Sequence, residues 1–166
     1  QRPDTLVRPE VFLRQGQSYG TKPEDIQLKI YLYTHCIIGE TNFYLAEISQ
    51  TRRASYALML EELEEIIQQN FDHINLDNKL EFLVCCKLAG MDTPLFARVY
   101  DECAQSLSPE GTFLIDTINN HRQSNKTSLA LSEHRNVLFI MSYLERAMSS
   151  DNGSSERLFR PQTPQS

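Results

Sequence analysis

The residues best equipped for chemistry lie in one stretch, Tyr33-Thr34-His35-Cys36-Ile37-Ile38-Gly39-Glu40-Thr41-Asn42-Phe43-Tyr44. A strongly apolar run here carries Thr34, His35, Glu40, Thr41 and Asn42 within about two and a half turns of helix. A packed core holds that many polar groups only when each is paired. At about 100° per residue, His35, Ile38, Gly39 and Asn42 share one face, and Leu28, Tyr31 and Leu32 extend it toward the N-terminus. Leu and Ile mixed with His, Gly and Asn read as an inner helix lining a cavity, with Gly39 leaving room for a backbone or a ligand. His35, Thr41 and Asn42 are therefore candidate ligand-binding residues. The His35 ring is expected to donate to Thr41 or Asn42, or to bind a guest's oxygen. The plainer alternative is a core histidine satisfied by a nearby hydroxyl or carbonyl.

His134 and Arg135 form the second candidate pair. Ser132 can cap a last helix over about 133–149, placing His134 in its first turn, where the helix dipole disfavours imidazolium. A neutral His134 beside Arg135 could hold an anionic ligand; an exposed helix start is the alternative. His73, in a connector, and His121, in a polar loop, read as solvent-exposed. The four histidines show no HxH, HxxxH or Hxx[DE] pairing, so no metal site and no cofactor are expected. A site built from His35, His134 and a distant Asp116 is allowed, but nothing demands it. There is no GxSxG elbow and no Gly-rich phosphate loop. Cys36 beside His35 is no nucleophile–base pair, because consecutive helical residues diverge. Whether any reaction is catalysed stays open. The run Glu61-Glu62-Leu63-Glu64-Glu65 reads as a solvated face, or as an acidic docking surface for a basic partner.

These groups need helices to position them, and the chain offers little else. Over 166 residues, 40% hydrophobic and 23% charged content are those of one globular domain able to bury a core. A net charge of −6 argues against nucleic acid as a partner, and no apolar run is long enough to span a membrane. No signal peptide is visible, so a cytoplasmic setting is expected, with Cys36, Cys85, Cys86 and Cys103 as small buried hydrophobes rather than disulfides or zinc ligands. With Gln1 rather than Met in front, the chain reads as a processed product or a piece of something longer. Residues 1–22 form an extension in which Leu6, Val7, Val11, Phe12 and Leu13 make a short turn on the body. Helices follow over about 23–48, 51–70, 76–89 and 94–106, with Asn75 and Asp92-Thr93-Pro94 as starts and Gly90 as a stop. Ser108-Pro109-Glu110-Gly111 is a turn. Phe113-Leu114-Ile115 is an apolar anchor, 119–127 a polar loop and 149–166 a polar tail. The class is all-α: five or six main helices as antiparallel hairpins within a single domain over 23–148. They belong either to an α/α-toroid or to an irregular helical bundle.

The spacing Thr34-His35, five residues, then Thr41-Asn42-Phe43 resembles a signature of an all-helical bacterial family of unknown function found with specialised-metabolite biosynthesis. His134-Arg135 is similar to that family's C-terminal histidine-bearing helix. The segments Leu88-Ala89-Gly90 and Ser108-Pro109-Glu110-Gly111-Thr112-Phe113 resemble terpenoid-cyclase-type α/α-toroids. Asn42 stands where the family commonly has aspartate and Tyr44 where it commonly has glycine. If the aspartate is a base or metal ligand in the family, Asn42 can be neither. The acidic cyclase motifs are absent. The resemblance implies a helical domain acting on a small molecule.

Two functions follow. One is a helical domain with a small polar-lined pocket that binds or modifies a small molecule or peptide; it predicts His35 and Asn42 at the base of a concave site. The other is a protein–protein interaction or scaffold module, a homo-oligomer included, without catalysis. That module predicts a large exposed apolar strip on the helix over 51–70.

Overall fold

The structure, a computed structural model, describes residues 8–46, 48–113 and 129–149, with side chains described over 133–143 of the last segment. The readings of Leu6, Val7, Leu114, Ile115, Asp116, His121, the 119–127 loop and the tail lie outside the described residues. The fold is all-α. Among the described residues six helices run in order: α1 Pro9–Gln17, α2 Pro23–Glu40, α3 Gln50–Gln69, α4 Leu76–Ala89, α5 Leu95–Ser106 and α6 Leu129–Ser149, with a 3-10 turn Phe71–His73 between α3 and α4.

Local chemistry accounts for most boundaries. Pro23 occupies the first turn of α2 with Glu24 and Asp25 beside it at the positive end of the dipole. The Asn75 side chain caps α4 by accepting from the Asn78 amide at 2.8 Å. Gly90 ends α4 in the left-handed conformation, φ +67°, where only glycine is free of a Cβ penalty. Thr93 Oγ1 accepts from the Leu95 amide at 3.2 Å at the start of α5. Gly111, φ +77°, closes the turn whose amide donates to the Ser108 carbonyl at 2.9 Å, beside an isolated bridge between Leu107 and Phe113.

Three elements differ from the sequence-based expectation. Residues 9–17 form a helix rather than a short turn, packed on α2 and α3. α6 begins at Leu129, several residues before the expected Ser132 cap, so His134 is in its second turn, past the strongest part of the dipole. α2 stops at Glu40 rather than continuing toward Ile48.

The innermost helix is α4, not α2. It packs against α2, α3, α5 and α6, and the whole of Asn78–Cys86 is buried, polar residues included. The described helices pack as a bundle around α4. α2 and α3 are antiparallel, since Lys29 pairs with Glu62 at 2.7 Å and Glu40 with Arg52 at 3.1 Å. α6 runs in the same sense as α4: Arg135 pairs with Asp77 at 2.9 Å, and further along Lys87 donates to the Met141 carbonyl at 2.6 Å. The four cysteines are all free and buried. Burial pushes their thiols up, Cys36 and Cys103 to about 12.

Candidate functional site

Helix geometry locates the site. Around α4, at about 100° per residue, Asp77, Glu81, Val84 and Leu88 form one strip. Asp77 binds α6 through Arg135, and Glu81 binds α2 through Thr34 Oγ1 at 3.1 Å. On α2, Thr34 faces α4, while Lys29 and Tyr33 turn to Glu62 of α3. Tyr31, His35 and Gly39 lie on the opposite flank and are exposed. On α6, Arg135 faces α4, and Phe139 and Tyr143 meet Tyr100 of α5 edge-on. His134 lies on the other flank and is exposed. The free flanks of α2 and α6 therefore border the same strip of α4. The Thr34–Glu81 bond sets His35 level with Glu81, and the Arg135–Asp77 pair sets His134 level with Asp77. Asp77 and Glu81 are about one turn apart. Val84 and Leu138 are buried further along.

His35 does not line a sealed core. Its Nδ1 lies 2.9 Å from the Tyr31 carbonyl oxygen, which can only accept, so Nδ1 carries the hydrogen and donates. Nε2 is then the basic nitrogen of the neutral ring, with no partner among the described residues. The Tyr31 ring meets it edge-on at 5.6 Å between centroids. The ring makes no bond to Thr41 or Asn42. Gly39 admits no neighbouring backbone: a Cβ built there meets nothing within 4 Å.

Thr41 and Asn42 build the end of the helix. The Phe43 amide donates to the Ile38 carbonyl at 2.9 Å and the Asn42 amide to Gly39 at 3.2 Å, the paired bonds of a helix stop. Asn42, φ +51°, holds the left-handed position usually taken by glycine, and its side chain is exposed. Phe43 and Tyr44 follow at φ +58° and +70°. Three consecutive left-handed residues cost roughly 1–3 kcal/mol each. Buried Thr41 holds them: its Oγ1 donates to Ile38 at 2.9 Å and accepts from the Tyr44 amide at 3.3 Å, and its carbonyl accepts from Leu45 and Ala46 at 3.0 and 2.9 Å. Tyr44 is thus left-handed, a conformation that glycine takes most easily.

Arg135 is committed to a carboxylate of the fold rather than to an anionic ligand. Its Nε and Nη2 both donate to Asp77, each at 2.9 Å, and the residue is buried. The pairing of His134 with Arg135 on one ligand is not formed: the neighbours diverge, one outward and one onto α4.

Sequence reasoning missed Glu81, which is 4% exposed. Its signal was present, a lone acid inside Leu80-Glu81-Phe82-Leu83-Val84-Cys85-Cys86. Thr34 Oγ1 has one hydrogen and two close acceptors, Glu81 Oε2 at 3.1 Å and the Ile30 carbonyl at 3.0 Å. Cys85 Sγ donates to the Thr34 carbonyl at 3.7 Å beside it. Burial, and behind it the charge of Glu81, pushes the Tyr44 hydroxyl up to about 12 and keeps it protonated. Among the described residues no group of three or more His, Cys, Asp or Glu could hold a metal, and no helix is long and apolar enough to cross a membrane. Comparison with protein-family models, with characterised proteins and with solved structures returned no match in any of the three.

Proposed function

We propose that the chain is a helical binding domain whose α4 strip, between the free flanks of α2 and α6, takes a small molecule or peptide. The carrying observation is that two exposed histidines on different helices adjoin Thr34 and Arg135, whose contacts with α4, at Glu81 and Asp77, lie about one turn apart along a floor that contains a buried carboxylate. Ionisable side chains from separate elements converging on one surface are a common mark of a ligand site. His35 Nε2 is the group able to accept a proton or hydrogen bond from a guest, so the site can bind or modify it. The Thr34-His35 and His134-Arg135 resemblance points the same way, to bacterial specialised metabolism. The four buried free thiols fit a reducing, cytoplasmic setting.

A fragment library read by protein-observed NMR tests this. Hits should shift Tyr31, His35, Glu81 and His134 together, and His35→Ala should weaken them at least tenfold while moving Tm by no more than about 1 °C, since the ring is exposed. Hits mapping elsewhere, or a loss of several kcal/mol in His35→Ala, would overturn the reading.

A second reading is favoured by the turn after α2. Phe43 and Leu45 are 73% and 80% exposed there, and Leu28, Tyr31, Val137 and Ile140 are exposed on the flanking helices. On α3, where such a strip was expected, Leu58 alone is an exposed large apolar residue among those described. A scaffold module would dock a partner protein or second copy across the turn. A mass that rises with concentration in light scattering favours it.

A further inference from the structure

Glu81 departs from a rule the rest of the fold obeys. Among the described residues, the other carboxylates that bridge two helices each meet a cation: Glu62 with Lys29 at 2.7 Å, Glu40 with Arg52 at 3.1 Å, Glu102 with Lys79 at 2.5 Å and Asp77 with Arg135 at 2.9 Å. Glu81 is buried more deeply than any of these four, yet has no cation among the described residues. Its one bond among the described residues is to a neutral hydroxyl whose hydrogen the Ile30 carbonyl also claims. A buried carboxylate without a charged or multiple partner is costly. The second oxygen, Oε1, has no partner among the described residues. No fully buried side-chain N or O described lacks one, so Oε1 keeps a contact with solvent. It is a largely desolvated acceptor on a residue that is 4% exposed.

We propose that Glu81 Oε1 is the anchor for the primary ammonium group of a guest lying on the α4 strip. The inference rests on the binding-domain reading above and specifies its ligand. An ammonium fits better than the other cations. A guanidinium seeks both carboxylate oxygens at once, and Oε2 is already taken by Thr34. A divalent ion needs several oxygen ligands, and Asp77, the nearest acid on the strip, is consumed by Arg135. An ammonium has three hydrogens: one for Oε1, while Tyr44, whose hydroxyl feels the Glu81 charge, and His35, whose Nδ1 lies 3.4 Å from the Thr34 Oγ1 that holds Glu81, are the neighbouring residues that offer acceptors for the rest. The guest's carbon chain would then lie toward Tyr31 and Leu28, whose exposed flank of α2 bears no formal charge from Gln27 to Gly39.

The test is titration of the whole chain with butylammonium, butylguanidinium and 1-butanol at pH 7, with NaCl matched, followed by protein-observed NMR. Saturable butylammonium binding in the millimolar range is expected, at least tenfold tighter than either other probe. Glu81→Gln should weaken it at least tenfold. Should that variant not fold, Tyr44→Phe keeps the carboxylate and should weaken binding several-fold. Butanol or butylguanidinium binding as tightly as butylammonium at the His35 flank would overturn the ammonium assignment and leave the groove standing. So would butylammonium binding unchanged in Glu81→Gln or, where that variant does not fold, in Tyr44→Phe. If no probe binds and no fragment maps to the strip, both fall together.

Discussion

Two glycines that look alike in sequence should respond to the same substitution with opposite signs. Gly16 lies in α1 and Gly39 in the last turn of α2, and both are helical. A Cβ at Gly16 would stand 2.2 Å from Tyr33 Cε1 and 2.4 Å from its Cζ and Oη. Ordinary contact begins near 3.4 Å, so something must move by about 1 Å. Tyr33 has no room to yield: it is fully buried, and its hydroxyl donates to Glu62 at 2.8 Å, with the Leu13 carbonyl 3.1 Å away. Overpacking costs about 1–3 kcal/mol, and losing a hydrogen bond to a charged group about 1.5–3 kcal/mol. The gain in helix propensity offsets at most about 1 kcal/mol. Gly16→Ala should therefore destabilise by about 2–4 kcal/mol, lowering Tm by roughly 5–15 °C for a chain of this size. Gly39→Ala meets nothing within 4 Å and should stabilise by about 0.5–1 kcal/mol. Urea unfolding followed by far-ultraviolet circular dichroism measures both. A stabilising Gly16→Ala would show that α1 does not dock on Tyr33. A destabilising Gly39→Ala would show that the α2 flank is covered.

Two further outcomes follow from the buried ionisable groups. Arg135→Ala strands Asp77 between α4 and α6 and should cost about 3–5 kcal/mol; urea unfolding that shows less than about 1 kcal/mol would mean the pair is open to water. The four buried thiols hold their protons in the fold, to about pH 12 for Cys36 and Cys103, whereas the unfolded chain gives them up near the ordinary cysteine value. The unfolded state then binds fewer protons above about pH 9, and stability falls as pH rises from there. The slope approaches about 5 kcal/mol per pH unit for four thiols. Thermal unfolding between pH 8 and 11, with a parallel thiol-reactivity assay, should show a steep loss that is absent when the same scan runs from pH 6 to 8. A flat profile up to pH 11 would refute it.

The all-α class was legible because apolar residues recur at helical spacing and because capping is local chemistry. Asn75, Gly90 and Thr93 could be placed from their neighbours alone, and so could the ends of α3 and α4. What failed was tertiary. A helix rich in apolar residues with a polar stretch looked like the inner one, yet its His35–Gly39 flank is open. The innermost helix instead carries Asn78, Lys79 and Glu81, which a hydropathy reading places outside. Lys79 is buried because Glu102 pairs with it and the Phe71 ring lies 3.9 Å from its ammonium, partners 23 and 8 residues away. The stop after Glu40 was hidden because Phe43 and Tyr44 are poor left-handed residues, held there by Thr41 rather than by their own preference. Of the candidate residues, His35, Asn42 and His134 are exposed, whereas Thr41 is buried at the end of α2 and Arg135 is buried against Asp77 of α4.

The depth of α4 governs the order in which this protein can be made. The side of α4 that carries Asp77 and Lys87 is completed by Arg135 and Met141, some fifty to sixty positions later in the chain. During synthesis the α2–α3 hairpin can close as soon as it leaves the ribosome, but α4 must wait with one apolar flank bare until α6 arrives. Contacts so distant in sequence slow folding and lengthen the exposure of sticky surface. A chain cut short before α6 would therefore be a target for chaperones and proteases rather than a smaller version of the same domain.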